Sequence, residues 1–313
     1  MNDYVCVIGG INIDIKGISD TSGKEPDSHP GKIYLSPGGV ARNIAENLAR
    51  LDIPVYLLGY VGDDYFGNFI IDKTRIKGVN TDNIIKSSSV STSKYLSVSS
   101  NNGNLHYAVN DMKESSELIT PEYILKNKKI FENSKLVAAD TNLSTEALNT
   151  IIEIANLNGI PIFIDTVSIA KAGVVNKLSG KIEYLSPNLL ENENLFGNYD
   201  KMSEILTTGI FKNFGYIILK KGIEGVTIID VENERSFEVD ALSVDIVEPN
   251  GAGDAFNAGF IYSIIRNYNV EIAARIGICA AHFTLKSEKS VSDELTQKNL
   301  LDLYNQKISE NEF

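Results

Sequence analysis

Short apolar runs and helical repeats alternate along this chain. Six runs have the length of buried strands and are rich in apolar and β-branched residues: residues 4–8, 55–61, 136–139, 161–164, 184–186 and 216–219. Apolar residues at helical spacing predict helices that begin near residues 40, 145 and 252. In the last of these, Phe256, Phe260 and Ile264 are expected to share one apolar side. The alternation favours an α/β fold with helices on both faces of a mostly parallel sheet.

Two β-rich segments interrupt the alternation. Residues 13–17 and 32–35 flank a loop rich in Ser, Asp, Gly and Pro. Residues 93–99 and 105–109 flank residues 101–104, whose Asn-Gly centre is typical of a hairpin turn. We predict that the two segments, at about residues 12–36 and 92–110, form one small lid sheet inserted into a single domain of residues 1–313.

Charge and composition exclude some functions. The chain carries 29 basic and 41 acidic residues, a net charge of −12, whereas nucleic-acid binding proteins usually carry positive charge. No apolar run approaches the length of a membrane span, and the N-terminus lacks the basic flank of a signal peptide. Cys6 and Cys279 lie far apart in apolar stretches. We therefore expect a cytoplasmic protein with no nucleic-acid or membrane partner and no disulfide.

The segment Glu248-Pro249-Asn250-Gly251-Ala252-Gly253-Asp254 precedes the last predicted helix. Backbone N–H groups of Gly251, Ala252 and Gly253 can converge on an anion, and the helix dipole adds partial positive charge there. Asp254 in the first turn can then accept a hydroxyl proton as the oxygen attacks phosphorus. Alone, the segment fits equally well a turn followed by a helix-start acid.

A second glycine pair, Gly38-Gly39, opens the helix near residue 40, and Asn43 lies one turn in. Glycines permit a close approach of backbone to ligand, and an asparagine amide can bind a diol. Polar residues also follow the predicted strands: Asn12 and Asp14, then residues 140–142 and 165–168. Ligands bind beyond the carboxyl ends of parallel strands, so these groups point to one shared site, although many such loops are only solvated turns.

Two further segments fit nucleotide chemistry. Asn188 and Glu191 are three residues apart, a spacing that would place both on one helix face near a hydrated Mg²⁺, or that simply marks a surface helix start. Lys220, Gly222 and Gly225 follow a strand and fit either a phosphate loop or a simple hairpin.

Together the motifs SPGGVARNIAENLARL and NGAGDAFNAGF resemble those of the ribokinase-like (PfkB) carbohydrate and nucleoside kinases, and the resemblance extends over residues 5–301. It implies a three-layer fold with a β-sheet lid, MgATP as the phosphoryl donor and a primary hydroxyl as the acceptor. Asp254 is then the base, and Gly251, Ala252 and Gly253 form the anion hole. Asn188, Lys220, Gly222 and Gly225 bind the nucleotide, with Glu191 near Mg²⁺ through water.

On the acceptor side the resemblance implies sugar contacts from Asn12, Asp14, Gly38, Gly39 and Asn43. Within the family, the strings HPGKIYLSPGG, ADTNLS and FIDTVSIAKAG are similar to those of members that phosphorylate pseudouridine at its 5′-hydroxyl. The last string contains two further expected substrate contacts, Asp165 and Lys171. Ribose, fructose, adenosine or another nucleoside remain alternative acceptors. A non-catalytic regulator is disfavoured because a pure binder has no need of a base.

Two expectations stay open. The family often places a monovalent cation such as K⁺ at the element before the anion hole. Glu248 keeps the negative charge of that element, whereas Pro249 lacks both a hydroxyl and an N–H donor. The exposed edge or face of a lid sheet can also pair with a second copy, which makes a homodimer through the lid possible.

Overall fold

The computed structural model describes residues 4–20, 28–100, 104–112, 115–197 and 212–310. The strands are β1 (Val5–Ile8), β2 (Asn12–Ser19), β3 (Gly31–Gly38), β4 (Val55–Gly62), β5 (Ile84–Ser87), β6 (Lys94–Ser100), β7 (Leu105–Asp111), β8 (Leu136–Asp140), β9 (Ile162–Asp165), β10 (Ile182–Ser186), β11 (Phe214–Lys220), β12 (Val226–Asp230) and β13 (Arg235–Val239). The helices are α1 (Val40–Arg50), α2 (Tyr65–Ile76), α3 (Ser115–Leu118), α4 (Pro121–Lys126), α5 (Lys128–Glu132), α6 (Thr145–Leu157), α7 (Ile169–Ala172), α8 (Leu189–Phe196), α9 (Ala252–Ile265), α10 (Val270–Leu285) and α11 (Gln297–Ser309).

The larger sheet has nine strands in the order β13-β12-β11-β10-β9-β8-β1-β4-β5. The strands from β11 to β5 in this order are parallel, and β12 and β13 add an antiparallel edge. The predicted mostly parallel sheet is therefore confirmed. Parallel strands end at one edge of the sheet, so the loops after β1, β8, β9, β10 and β11 lie side by side there.

Side chains of β1 alternate between two hydrophobic cores. Val5 and Val7 pack into the core that contains residues of α1, α9 and α10, whereas Cys6 and Ile8 pack into the core that contains residues of α6. All four side chains are fully buried, which is the pattern of a strand covered on both faces. Helices thus cover both faces of the sheet in three layers, as predicted.

The smaller sheet has four strands in the order β3-β2-β6-β7, built from the two segments that interrupt the α/β alternation. The strands β6 and β7 pair as a hairpin, although residues 101–103 of the predicted turn lie outside the described residues. Ile15 pairs with Leu35 and Leu96, which gives this sheet one apolar face. Asp14 and Lys16, one residue to either side of Ile15, point to the opposite face because strand side chains alternate.

Helix α9 differs from its prediction. Every residue from 255 to 263 is buried, so the expectation of one apolar side is wrong. The helix packs against α1 and α10 as well as the sheet, and apolar residues are therefore needed all around it. The contact with α10 is close: a Cβ on Gly259 would lie 2.8 Å from the Cβ of Ala280. Among the described residues, no helix is both long and apolar enough to cross a membrane.

The close packing of α9 against α10 predicts a large effect of Gly259→Val. We expect the free energy of unfolding to fall by about 1–3 kcal/mol, since the added methyl groups force the two backbones apart. Gly173→Val is the matched control, because nothing lies within 4 Å of a Cβ at that position, and it should change stability by no more than about 0.5 kcal/mol. Urea denaturation measures both; equal losses in the two variants would contradict the packing argument.

Candidate active site

The loop before α9 places Asp254 at the helix N-terminus. Gly251 is the N-cap and has a left-handed backbone with φ of 84°. A Cβ there would lie 2.1 Å from the carbonyl oxygen of Ser290, so only glycine fits. The Ala252 N–H donates to the Pro249 carbonyl at 3.3 Å, whereas the amides of Gly253 and Asp254 belong to a first turn that has no intrahelical acceptors. The Ala252 amide is therefore used within the loop, whereas the amides of Gly253 and Asp254 remain available to an anion.

The Asp254 carboxylate contacts Asn43 from α1. Asn43 Nδ2 donates to Asp254 Oδ2 at 2.7 Å and occupies one of the two carboxylate oxygens. Burial and the neighbouring charge of Asp165 raise the pKa of Asp254 to about 8, while the Asn43 bond and Lys220 act in the opposite direction. A carboxylate of this basicity is well matched to accepting a proton near neutral pH.

Asp254 and Asn43 line a cavity of about 150 Å³ at the carboxyl edge of the larger sheet. Its other lining residues are Gly10, Ile11, Asn12, Gly39, Val40, Ser93, Met112, Asn142 and Val167. Amide, hydroxyl and apolar groups therefore surround a base, an arrangement that suits a polar ring bearing a hydroxyl group.

The remaining predicted acceptor contacts lie next to this cavity rather than in its lining. Asp14 accepts a bond from Asn12 Nδ2 at 2.7 Å. A Cβ on Gly38 would lie 2.3 Å from the Asp14 carboxylate, so this glycine makes room for that side chain. Lys171 donates to the Oδ1 atom of Asn142, which does line the cavity.

Asp140 ties together the loops that form the cavity. Its Oδ2 accepts from the amides of Gly10, at 2.8 Å, and Ala41, at 3.1 Å, so one carboxylate joins the end of β1 to the start of α1. Gly39, with φ of 102°, passes so close to Gly10 that a Cβ would lie 2.3 Å from its carbonyl oxygen. Burial raises the pKa of Asp140, which its amide donors oppose. Asp140 therefore positions the cavity wall.

Asp165, predicted as a substrate contact, lies behind the site and is only 4% exposed. Its Oδ2 accepts from Lys220 Nζ at 2.9 Å and from Asn257 Nδ2 at 2.7 Å, and its Oδ1 accepts from the Val167 amide at 2.7 Å. Lys220 Nζ lies 3.7 Å from the position of a Cβ on Gly253. Asp165 thus holds a lysine ammonium beside the anion-binding turn.

Asn188 and Glu191 form a capping box at the start of α8. The Glu191 side chain is 4% exposed and accepts from Asn188 Nδ2 at 2.7 Å, from the Asn188 amide at 2.9 Å and from Thr166 Oγ1 at 2.6 Å. These residues fit Mg²⁺ only through an intervening water, since both carboxylate oxygens already have protein donors. The described residues contain no group of three or more His, Cys, Asp or Glu side chains arranged to hold a metal ion.

The two glycines after β11 have different roles in the structure. Both have positive φ, 63° at Gly222 and 85° at Gly225. A Cβ on Gly225 would lie 2.0 Å from the Val239 carbonyl oxygen, so packing requires glycine there. Nothing lies within 4 Å of a Cβ on Gly222, which leaves space for a ligand. The strands β11 and β12 also pair as a hairpin, so the two interpretations of this segment are compatible.

Two ion pairs near the site had no sequence signal strong enough to predict them. Arg42 is 3% exposed and pairs with Glu46 at 2.6 Å, one helical turn along α1. Their spacing of four residues is a weak signal, because it is common on exposed helices. Lys16 of the lid sheet pairs with Glu248 in the loop before α9, and residues 232 apart give no local signal for such a contact.

The chain is similar to known proteins over nearly its whole length. The model of the pfkB family of carbohydrate kinases matches residues 2–297. The chain is 33% identical to pseudouridine kinase of Escherichia coli K12 over 305 residues, which are 96% of each chain. Its fold is similar to that of an Arabidopsis thaliana ribokinase complexed with ribose and ATP, with a TM-score of 0.83, 20% identity and coverage of 97% of this chain and 99% of that one.

A structure of a putative ribokinase II from E. coli in complex with ATP and Mg²⁺ is also similar, with a TM-score of 0.81, 18% identity and coverage of 98% of this chain and 100% of that one. At 20% and 18% identity the two structures show the fold alone, whereas the family match and the 33% identity to the E. coli pseudouridine kinase show the family. This chain belongs to the pfkB family of carbohydrate kinases.

Proposed function

We propose that this kinase transfers the γ-phosphoryl group of MgATP to the 5′-hydroxyl of pseudouridine, giving pseudouridine 5′-phosphate and MgADP. The observation that carries the proposal is the position of Asp254, which lines the acceptor cavity and also lies in the first turn of α9. Phosphotransfer to an alcohol needs a proton acceptor and an anion site next to each other, and α9 provides both within one turn.

In the proposed reaction the acceptor hydroxyl lies in the cavity and gives its proton to the Asp254 carboxylate. Its oxygen forms the new bond to the γ-phosphorus as the bond from that phosphorus to the bridging oxygen of ADP breaks. The amides of Gly253 and Asp254, the α9 dipole and the Lys220 ammonium stabilise negative charge on the transferred group. MgATP supplies the phosphoryl group and a divalent charge that neutralises its oxygens.

For the nucleotide we propose phosphate contacts at Lys220 and Gly222, with Asn188 and Gly225 shaping the loops beside them. The fit rests on the ammonium next to Gly253 and on the open space above Gly222. Glu191 contributes to the Mg²⁺ environment through water. Asp165 acts in this scheme by holding Lys220 rather than by touching substrate.

The choice of pseudouridine as the acceptor rests on the sequence identity to relatives and on the residues that line the cavity. Among the curated relatives, pseudouridine kinase of E. coli is 33% identical over 96% of this chain, whereas a ribokinase of Bacillus subtilis is 26% identical over 90%. Amides from Asn12 and Asn142 face a cavity that also has apolar walls from Ile11 and Met112. Such a lining can hold ribose hydroxyl groups on one side and the flat face of a base on the other.

We do not include K⁺ in the proposed reaction. The Glu248 carboxylate, the one acidic group of its element, already accepts from Lys16 Nζ and from the Asn250 amide. The lysine therefore supplies a positive charge where a monovalent cation would otherwise be needed. We also propose a cytoplasmic location, in keeping with two buried free cysteines, Cys6 and Cys279, and with the use of ATP.

For the oligomer we propose a homodimer in which the apolar faces of two lid sheets meet. Seven apolar side chains of β3, β6 and β7 are each at least 40% exposed, and five of them share one face: Ile33, Leu35, Leu96, Tyr107 and Val109. Strand pairing places them on the face opposite Asp14 and Lys16. A contiguous exposed apolar surface of this kind typically marks a protein contact.

Asp254→Asn tests the base. We expect kcat to fall by about 10²–10⁴-fold, because the amide cannot accept the hydroxyl proton, while ATP binding is retained. Thermal stability should not fall, because a carboxylate with a raised pKa opposes folding when it is ionised. Asp72→Asn, at a side chain that is 71% exposed on α2, is the matched control. Coupled ADP release measures kcat, and calorimetric titration measures ATP binding. Near-normal turnover of Asp254→Asn would refute the role of Asp254 as the base.

The acceptor is tested by ADP release with pseudouridine, uridine, adenosine, ribose and fructose. We expect the highest kcat/KM with pseudouridine and a 5′-phosphate product by ³¹P NMR. Uridine is the matched control, since it differs only in the atom that joins base to ribose. A clear preference for ribose would overturn the choice of acceptor and leave phosphoryl transfer intact.

Tyr107→Asp tests the dimer. Wild-type protein should sediment as a dimer and the variant as a monomer, because a carboxylate within the apolar contact is desolvated without a partner. Leu157→Asp is the control, since Leu157 is 79% exposed at the end of α6, away from the lid. A monomeric wild type, or a dimer that survives Tyr107→Asp, would contradict the lid interface.

A further inference from the structure

Arg42 is a buried cation that no step of the proposed reaction uses. Its side chain is 3% exposed, and the residue lies in the first turn of α1. Nη1 donates to Glu46 Oε2 at 2.6 Å, and Nη2 donates to Asn43 Oδ1. Nε is buried and has no hydrogen-bond partner among the described residues. Burying a guanidinium is costly even when it is paired, so its position beside the base calls for a reason other than stability.

The contact with Asn43 fixes the orientation of that amide. A carboxamide has a donor end and an acceptor end, and turning it over exchanges them. Because Arg42 donates to Oδ1, the Nδ2 end faces Asp254 and donates to its Oδ2 at 2.7 Å. In the opposite orientation, a carbonyl oxygen would face the Asp254 carboxylate and repel it. Arg42 therefore selects the orientation in which Asn43 stabilises the ionised base.

The guanidinium is itself held in place. Glu46 Oε1 accepts from Arg50 Nε at 3.1 Å and from Arg50 Nη2 at 3.0 Å, and Arg50 also bonds to Asp293. Residues 42, 46 and 50 lie on one face of α1 because they are spaced by four. Ion pairs thus link Asp293 at the surface to Arg50, Glu46 and Arg42 in turn, and they restrict the motion of Arg42.

The surroundings of the base make this orientation consequential. The charged groups around Arg42 and Asp254 come from five elements: Asp14 on β2, Arg42 and Glu46 on α1, Asp140 at the end of β8, Asp165 at the end of β9 and Lys220 at the end of β11. Burial, Asp165 and Asp140 favour the protonated base, whereas the bond from Asn43 and the cations Lys220 and Arg42 favour the ionised one. Loss of the donor that faces Asp254 would shift this balance toward an inactive acid.

We propose that Arg42 is a positioning residue, which locks the Asn43 amide with its donor end toward Asp254 and so keeps the base able to accept a proton. The inference rests on the proposed phosphoryl transfer. It assigns no contact with substrate to Arg42; the residue acts through the orientation of Asn43 and through its own charge.

The test is the pH dependence of kcat/KM for the acceptor in Arg42→Met. In the wild-type enzyme the rate should rise with pH through about 8, where the pKa of the base lies. In Arg42→Met we expect this acidic limb to move up by about one pH unit, with about a tenfold loss of rate at neutral pH and little change in KM for ATP. Arg75→Met, at an arginine that is 55% exposed on α2, is the matched control and should leave the limb in place.

An unmoved acidic limb in a folded Arg42→Met protein would overturn the inference, because a purely structural role would lower stability without shifting the limb. If that variant does not fold, the same pH dependence is measured in Arg42→Lys. A single ammonium cannot serve Glu46 and Asn43 in the fork geometry, so the limb should again move up, and an unmoved limb would again contradict the proposal. Absence of ATP-dependent transfer in the wild type would instead refute the proposed function itself, and with it this inference.

Discussion

The contact between Asn43 and Asp254 joins two helices that begin 212 positions apart in sequence, at Val40 and Ala252. Each helix starts after a glycine with positive φ at the carboxyl edge of the larger sheet. Glycine is required at both caps because backbone from another segment passes within van der Waals contact, Gly10 at one and Ser290 at the other. The rest of the site depends on this junction, since it sets the distance between the acceptor cavity and the anion-binding turn.

Carboxylates concentrate around this junction, although the proposed phosphoryl donor, ATP, is an anion. Asp140 and Asp165 are almost fully buried, and each accepts at least two donors, so their charges are largely neutralised within the protein. Burial, together with the charges of Asp165 and Asp140, raises the pKa of Asp254 to about 8. The same acids that hold loops and Lys220 in place therefore also adjust the basicity of the proposed base.

Much of the fold could be predicted because its signals are local. The buried strands, the start of α6 and the glycine caps follow from runs of apolar residues and from residue types that the backbone requires. The extent of burial of α9 could not, since it depends on α1 and α10 packing on sides that its own sequence does not mark. The pairing of Lys16 with Glu248 is a similar case, because the lid and the loop before α9 are distant in sequence.

The sequence predicted which residues lie near the site, but not which of them line the cavity. The positions of the strand ends indicate which polar residues share an edge of the sheet, and the structure brings Asn12, Asn43 and Asp254 to one cavity. Sequence could not distinguish a residue that lines the cavity from one that supports it. Asp165 and Glu191 are of the second kind, because their oxygens are used by protein donors. That distinction depends on side-chain direction and burial, which residue type and spacing leave open.

The proposed reaction requires that Asp254 accept the proton of the acceptor hydroxyl beside phosphates bound at the α9 N-terminus. A crystal structure of the complex with Mg²⁺, a non-hydrolysable ATP analogue and pseudouridine tests this arrangement. We expect the 5′-oxygen at hydrogen-bond distance from the Asp254 carboxylate, about 2.6–3.2 Å, with γ-phosphate oxygens on the amides of Gly253 and Asp254. A 5′-hydroxyl bound away from Asp254, or phosphates bound away from this helix terminus, would contradict it.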